Sequence, residues 1–383
     1  MKSKKIKVAI FSTTRAEFGI MTPLIKEIQK SKKFTSYFFV GGAHTSKSYG
    51  ETISEIKKSK IKITKSFEYP TSHDESNYIA NAMAISTRKL SIFFKKYSFD
   101  IVIVLGDRYE LIPIILNAIL FRKIIAHIGG GEATQGLIDE QVRNMISKAA
   151  HIHFTTTKKY ASKLIKIGEQ KKRIFNVGSL SIDGIHKVKK KSKDEIYRKY
   201  GFNRNLPIVI LTYHPVTLEF ALSHNKQIKN CFDALKEFNI NLIVTSPNIE
   251  VGSKAVKKNI LKYVNKNKNY QYYESLGFEN YHQLLQHTKF VIGNSSSGIV
   301  EVPYYKIPTI NIGIRQKNRL RHSSIIDVDY DSVSIIRGIK KSNSKKFNRQ
   351  LKKMIFEFGD GHAVKKICNQ LLRYRQLKDI FFK

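Results

Sequence analysis

The stretch Ile101-Val102-Ile103-Val104-Leu105-Gly106-Asp107-Arg108-Tyr109-Glu110 decides the fold class of this chain. Its first five residues form a continuous, β-branched apolar run, the signature of a strand buried on both faces of a parallel sheet. The run ends at a glycine, an acid and an arginine. Side chains just past the carboxyl end of such a strand lie where open α/β sheets bind ligands. Asp107 is therefore a candidate for chemistry at a site, although an acid there can also simply cap the next helix.

The flanking sequence repeats the pattern. Residues 5–12 read as a first strand, followed by the turn Thr13-Thr14-Arg15-Ala16-Glu17 and a helix to about residue 31. Arg15 stands in that turn, where one guanidinium can grip a phosphate through two hydrogen bonds. Residues 37–41 read as a second strand leading into Gly42-Ala43-His44-Thr45, and 65–69 as a short third. Helices are expected over 49–59, 73–97 and 110–121, and a strand over 123–128. Strand and helix alternate throughout, which argues for a doubly wound parallel sheet. The next residues, His127-Ile128-Gly129-Gly130-Gly131-Glu132, lead on to Asp139-Glu140 and a helix carrying Arg143. This glycine run fits neither a dinucleotide fingerprint nor a P-loop, because the required spacing and the Gly-Lys-Ser/Thr are missing. Glu132 and Asp139 converge near Asp107 if the two strands are neighbours. A strand at 152–155 and a strand end at Asn176-Val177-Gly178 complete the series.

Residues 179–205 are polar and lysine-rich, and the domain boundary is expected there. A second α/β series opens at 207–213 with His214-Pro215-Val216-Thr217 behind it, then a strand at 240–246 with Pro247-Asn248. Further on, a strand at 289–292 runs into Gly293-Asn294-Ser295-Ser296-Ser297-Gly298-Ile299-Val300-Glu301. A strand, a small polar turn and a helix start offer free amides and hydroxyls to an anion. Glu301 can accept two hydrogen bonds from a sugar diol. The basic loop Arg315-Gln316-Lys317 follows the strand at 307–312. The expected domains are 1–180, 181–360 and a C-terminal helical segment 361–383 packing back on the first.

Composition narrows the function classes. With 383 residues the chain is long enough for two domains. Its two cysteines, Cys231 and Cys368, lack metal-ligand spacing and point to a reducing, cytoplasmic setting. The apolar run at 8–11 is far too short for a signal peptide, and no segment is long enough to span a bilayer. The formal charge is +38. It comes from dispersed lysines such as Lys57-Lys58 and Lys189-Lys190-Lys191, with no arginine–aromatic stripe of the kind that stacks bases. That distribution reads as solvation, with no nucleic-acid or membrane partner.

Taken in order, Thr14-Arg15-Ala16-Glu17, Gly106-Asp107-Arg108, His127 to Glu132, Ile138-Asp139-Glu140, Arg143, His214 to Thr217, Pro247-Asn248, Gly293 to Gly298, Glu301 and Arg315-Gln316 resemble the hydrolysing UDP-N-acetylglucosamine 2-epimerases. The resemblance spans about residues 6 to 365. It implies two Rossmann-like α/β domains facing across a cleft, the GT-B arrangement. It also implies loss of UDP from C1 and of a proton from C2, giving a 2-acetamidoglucal, then hydration to N-acetylmannosamine for sialic acid synthesis. It assigns Asp107, Glu132 and Asp139 to acid–base work. Arg15, His44, Arg108, Arg143, His214, Asn248, Phe278, Ser295, Ser296, Glu301 and Arg315 are assigned to the UDP-sugar. It implies no metal or other cofactor, and a homodimer or homotetramer. Two positions depart from the pattern: Gly129, where relatives often carry an acid or histidine, and Asn144, where histidine is common. The first throws more of the proton chemistry onto Asp107 and Glu132.

Rival expectations are the same chemistry on UDP-N,N'-diacetylbacillosamine or GDP-N-acetylglucosamine, a non-hydrolysing epimerase, a glycosyltransferase and a nucleic-acid-binding protein. The serine-rich 293–303 stretch resembles the sialic-acid branch. Gly106-Asp107-Arg108 argues against the non-hydrolysing enzymes, which resemble Gly-Asp-Thr there.

Overall fold

The computed structural model describes residues 5–45, 53–69, 76–132, 138–216, 222–247 and 252–374. The chain divides into two compact units, one of Met1–Glu132, Ile138–His186 and Glu357–Lys383, the other built mainly of Lys187–Phe356.

Among the described residues the first unit holds seven parallel strands: β1 (Ile6–Ser12), β2 (Phe34–Val40), β3 (Lys65–Ser66), β4 (Ile101–Leu105), β5 (Ile124–Ile128), β6 (Ile152–Thr155) and β7 (Ile174–Asn176). They lie in the order β3-β2-β1-β4-β5-β6-β7. The order reverses between β1 and β4, and this switch point is where an open sheet accepts a ligand. β4 is central, pairing Ile101 with Val8 of β1 and with Ile124 of β5. Alternate side chains serve opposite faces. Val8, Ile10, Ile101, Ile103 and Ala126 pack in one core with the helices Arg15–Lys30 and Ala363–Arg373. Ala9, Phe11, Val102, Val104 and Ile125 pack in the other with Ser76–Lys96, Ile112–Leu120 and Asp139–Ala149. Burying one such isoleucine or phenylalanine contributes about 1.5–3 kcal/mol, so both faces anchor the switch point firmly.

The second unit repeats the architecture with β8 (Ile208–Thr212), β9 (Asn241–Thr245), β10 (Tyr270–Tyr273), β11 (Thr288–Gly293), β12 (Thr309–Ile312) and β13 (Ile325–Val328). Their order is β10-β9-β8-β11-β12-β13, with the reversal between β8 and β11. At that edge Gly293 has φ +125°, and a Cβ on it would stand 2.0 Å from the Thr212 carbonyl. Only glycine fits.

The structure departs from expectation in three places. Residues 180–185 are not polar linker. Leu180–Ile185 is a fully buried helix, while the unit boundary, after His186, lies within the expected 179–205. The cause is Asp183, whose two carboxylate oxygens accept the amides of Ala363 and Val364 at 2.9 Å each, capping the C-terminal helix. The helix expected after the serine cluster is only Ser297–Val300. Pro303 ends it, since its ring would clash with the carbonyl four residues back, and a 3-10 turn Val302–Tyr305 follows. β3 is two residues long, shorter than its expected run.

Candidate active site

The carboxyl edge of the first sheet is built from paired charges. Gly106 ends β4, and Asp107 behind it forms an ion pair with Arg143 of the helix Asp139–Ala149. The Arg143 side chain is almost fully buried and that of Asp107 is partly open. Burial works against the charged guanidinium, yet Asp107 first, then Glu132 and Asp139, hold its pKa above the ordinary arginine value. Asp107 thus pairs directly with Arg143, and Glu132 and Asp139, the other two carboxylates assigned to acid–base work, act on the same cation electrostatically. Glu132 accepts a hydrogen bond from Thr156 Oγ1 at 2.9 Å. Arg108 makes two hydrogen bonds to Glu110, 3.0 and 3.2 Å long, and lies over the Tyr109 ring at 4.9 Å. Its guanidinium is thus aligned by a neighbour rather than left to sweep solvent.

At the end of β1 the turn Thr13–Thr14 is held by Glu17, whose Oε2 accepts from the Thr13 amide at 2.8 Å, the Thr13 hydroxyl at 2.9 Å and the Thr14 amide at 3.2 Å. With Thr14 Oγ1 accepting from the Glu17 amide, this is a capping box. Burial pushes the Glu17 carboxyl up to about 7. Arg15 is exposed beside this turn. His44 is fully buried, with Nε2 3.0 Å from Ser12 Oγ, and burial pushes it down to about 4. It braces the β1 end as a neutral ring. Gly129 adopts φ +82°, a left-handed backbone that glycine takes at no steric cost.

The edge of the second sheet is built mostly from neutral groups, with Arg315 and Glu301 as its charged members. Asn294, fully buried after β11, reaches to the end of β8: its Oδ1 accepts from the His214 amide at 2.7 Å and its Nδ2 donates to the His214 carbonyl at 2.8 Å. The Asn294 carbonyl accepts from Gln316 Nε2 at 2.8 Å and from Arg315 Nη1 at 3.4 Å. Burial first, and then the charge of Arg315, push the His214 pKa well down, so it offers a neutral imidazole. Ser295 is half-buried and Ser296 exposed. The amides of Gly298, Ile299 and Val300 are spent on the carbonyls of Ser295 and Ser296, and that of Ser297 on Ser295 Oγ. The expected cradle of free amides is thus reduced to the head of the turn, with the serine hydroxyls beside it. Glu301 accepts from Ser297 Oγ at 2.6 Å, and that hydroxyl also meets the Tyr281 OH at 2.8 Å. Phe278 lies against the His282 ring, 4.3 Å between centroids, and His282 Nδ1 meets the Tyr305 OH at 3.2 Å. Asn248 and Thr217 lie outside the described residues.

The first unit thus gathers Asp107, Arg108, Glu132, Asp139 and Arg143. The second gathers His214, Ser295, Ser296, Glu301 and Arg315, with Phe278 in the adjoining aromatic cluster. Sequence reasoning missed Glu17, Thr156, Asn294, Tyr281, Tyr305 and Gln316 as members. Glu17 and Asn294 were legible as a capping-box residue and as part of the Gly-Asn-Ser turn. Thr156, Tyr281 and Tyr305 carry no motif.

A family model described as UDP-N-acetylglucosamine 2-epimerase matches residues 26–372. The GDP/UDP-N,N'-diacetylbacillosamine 2-epimerase (hydrolyzing) of Campylobacter jejuni is 35% identical over 90% of this chain and 89% of its own. Polysialic acid biosynthesis protein P7 of Escherichia coli is 33% identical over 89% and 87%. The UDP-N,N'-diacetylbacillosamine 2-epimerase (hydrolyzing) of Legionella pneumophila is 30% identical over 96% and 95%. In fold, the chain is similar to the crystal structure of UDP-GlcNAc 2-epimerase from Neisseria meningitidis bound to UDP-GlcNAc, with a TM-score of 0.83, 17% identity and coverage of 96% and 100%. The two parallel-sheet α/β units and these matches agree: the chain belongs to the UDP-N-acetylglucosamine 2-epimerase family.

Proposed function

We propose that the protein is a hydrolysing 2-epimerase of a UDP-linked 2-acetamido sugar, with UDP-N,N'-diacetylbacillosamine as the favoured substrate. The observation that carries the chemistry is the ion pair of Asp107 with buried Arg143 at the end of β4, with Glu132 and Asp139 acting on the same cation. A sugar C2 proton is weakly acidic, so its removal needs a placed carboxylate. Asp107, oriented by Arg143, takes that proton while the C1–O bond to UDP breaks, leaving a 2-acetamidoglucal. Water then adds at C1, and Glu132 or Asp139 supports return of a proton to the opposite face of C2. The products are UDP and a free sugar of inverted C2 configuration. Departing UDP carries negative charge that fixed donors stabilise. His214, the hydroxyls of Ser295 and Ser296, and Arg315 are the groups assigned to the diphosphate, and Glu301 is assigned to the ribose diol.

The sequence motifs favoured UDP-N-acetylglucosamine and the sialic-acid branch. The 35% and 30% identities to enzymes named for diacetylbacillosamine favour the other substrate, while the 33% identity to a polysialic acid biosynthesis protein keeps UDP-N-acetylglucosamine as a second reading. Exposed Ile92, Leu116, Ile119 and Leu120 on two packed helices of the first unit support self-association, as a homodimer or homotetramer. Among the described residues no helix is long and apolar enough to cross a membrane. The deciding assay incubates the protein with UDP-N,N'-diacetylbacillosamine, UDP-N-acetylglucosamine and GDP-N-acetylglucosamine in deuterated water. One tube is expected to yield a free, C2-inverted sugar with deuterium at C2. Unchanged substrate in all three would refute the proposal.

A further inference from the structure

The Asp107 side chain is held by Arg143; its backbone is held separately. The carbonyl of Gly106, in the peptide that leads into Asp107, lies 2.7 Å from His127 Nε2. A carbonyl oxygen only accepts, so Nε2 carries the proton. Nδ1 of the neutral ring is then an acceptor, and Ser147 Oγ donates to it across 3.1 Å. Both residues are fully buried, and burial pushes His127 down to about 3. The charged and titratable groups facing the ring are His153 on β6, Arg143 on the helix Asp139–Ala149, and Asp107 itself.

Ser147 stands one helical turn after Arg143 on that same helix, so the two share a face. The bonds therefore close into a ring. It runs from the Asp107 carboxylate to Arg143, along one turn to Ser147, through His127 to the Gly106 carbonyl, and back to Asp107. Gly130 lies flush against the weakest link: a Cβ there would stand 3.0 Å from Ser147 Oγ and 3.1 Å from His127 Nδ1. The middle glycine of the triplet is thus explained by the hydrogen bond it leaves undisturbed.

We infer that His127, held in its Nε2–H tautomer by Ser147, is a positioning residue that locks the Gly106–Asp107 peptide to the helix carrying Arg143, so that the Asp107 carboxylate meets the sugar in one orientation. The inference rests on the epimerase reading proposed above. His127 touches no substrate; it acts through the backbone of the residue that does. A carboxylate loosened by a fraction of an ångström loses much of its rate while binding is kept.

The test has two arms. In the wild-type protein labelled with 15N, long-range imidazole correlations are expected to show His127 neutral and protonated at Nε2 from pH 5 to 8. A ring that titrates near its ordinary 6.5, or carries its proton on Nδ1, would overturn the inference. The second arm measures turnover of whichever nucleotide sugar the wild type converts. Ser147→Ala and Gly130→Ala are each expected to lower kcat about 10-fold, with KM within about 2-fold and the acid limb of the pH profile displaced. Ser147→Thr is expected to recover most of the loss. Wild-type kcat in both Ser147→Ala and Gly130→Ala, or a loss that follows thermal unfolding with an unmoved pH profile, would overturn it. If the wild type converts no nucleotide sugar, the epimerase reading falls, whereas the imidazole spectrum still judges the ring.

Discussion

At the edge of the first sheet Asp107 meets Arg143 and Arg108 meets Glu110; at the edge of the second, Asn294 ties down the His214 backbone and serine hydroxyls crowd the turn. Both edges follow a parallel strand order that reverses beside its first strand. The topology is shared and the chemistry is not. One edge presents ionised groups held in pairs, suited to moving protons. The other presents mainly neutral groups tied down by backbone hydrogen bonds, with Arg315 as a single cationic donor beside His214, suited to holding an anion. Strand order tells where a site is built, and the side chains at the strand ends tell what it does.

The sharpest way to break this contrast is to remove the charge that is proposed to move the proton. Asp107→Asn is expected to lower kcat about 10³-fold, while titration calorimetry shows UDP affinity within about 2-fold of wild type, because most of the groups proposed to hold the diphosphate lie at the end of the other sheet. Normal turnover in this variant would mean that the first edge is not the acid–base edge. Arg143→Met attacks the same pair from its buried side. Losing the cation while three carboxylates remain is expected to cost about 3–5 kcal/mol in urea unfolding, together with most of the activity. A cost under about 1 kcal/mol would show that the pair is effectively solvent-screened.

The second edge is tested through Asn294→Ala. It strips two hydrogen bonds from the His214 backbone and leaves buried groups unpaired, at about 1–3 kcal/mol each. UDP affinity is expected to fall about 10-fold or more, which surface plasmon resonance would register. Unaltered UDP binding would detach His214 from the nucleotide site.

The smallest expected effect concerns pH. Folding raises the Glu17 carboxyl from 4.5 to about 7, so the folded state favours its protonated form. The stability this group contributes is complete below about pH 4.5 and is lost as pH rises through about 7, roughly 3 kcal/mol at most. Glu17→Gln should flatten that decline in thermal melts taken from pH 5 to 8. His127 and His44 act in the opposite sense: held neutral, with folded pKa values of about 3 and about 4, they contribute stability above pH 6.5 that is lost on acidification. A Glu17→Gln melt that follows the wild type at every pH would show that this carboxyl is already solvated.

Much of the site was legible because strand ends announce themselves. A β-branched run that stops at Gly-Asp-Arg, or at Gly-Asn-Ser, marks a sheet edge by local chemistry alone, and the strands 101–105 and 152–155 were read to the residue. Residues 180–185 were misjudged because their neighbours are lysine-rich, and because the partner that buries them arrives about 180 residues later: Asp183 caps the helix that starts at Ala363. Thr156 and Tyr281 were invisible for the same reason, since each enters its cluster from an element with no motif of its own.

The sequence by itself determined two parallel α/β series, the family, and the acids and hydroxyls at the strand ends. These follow from continuous β-branched runs, from turn residues and from motif order, all of which are local. Only the tertiary structure decided that one buried arginine collects Asp107, Glu132 and Asp139, that an asparagine amide holds the His214 backbone, and that His127 and Ser147 close a ring behind Asp107. Those bonds join residues 20 to 80 positions apart. Their partners are set by register and packing, which no single stretch of the chain encodes.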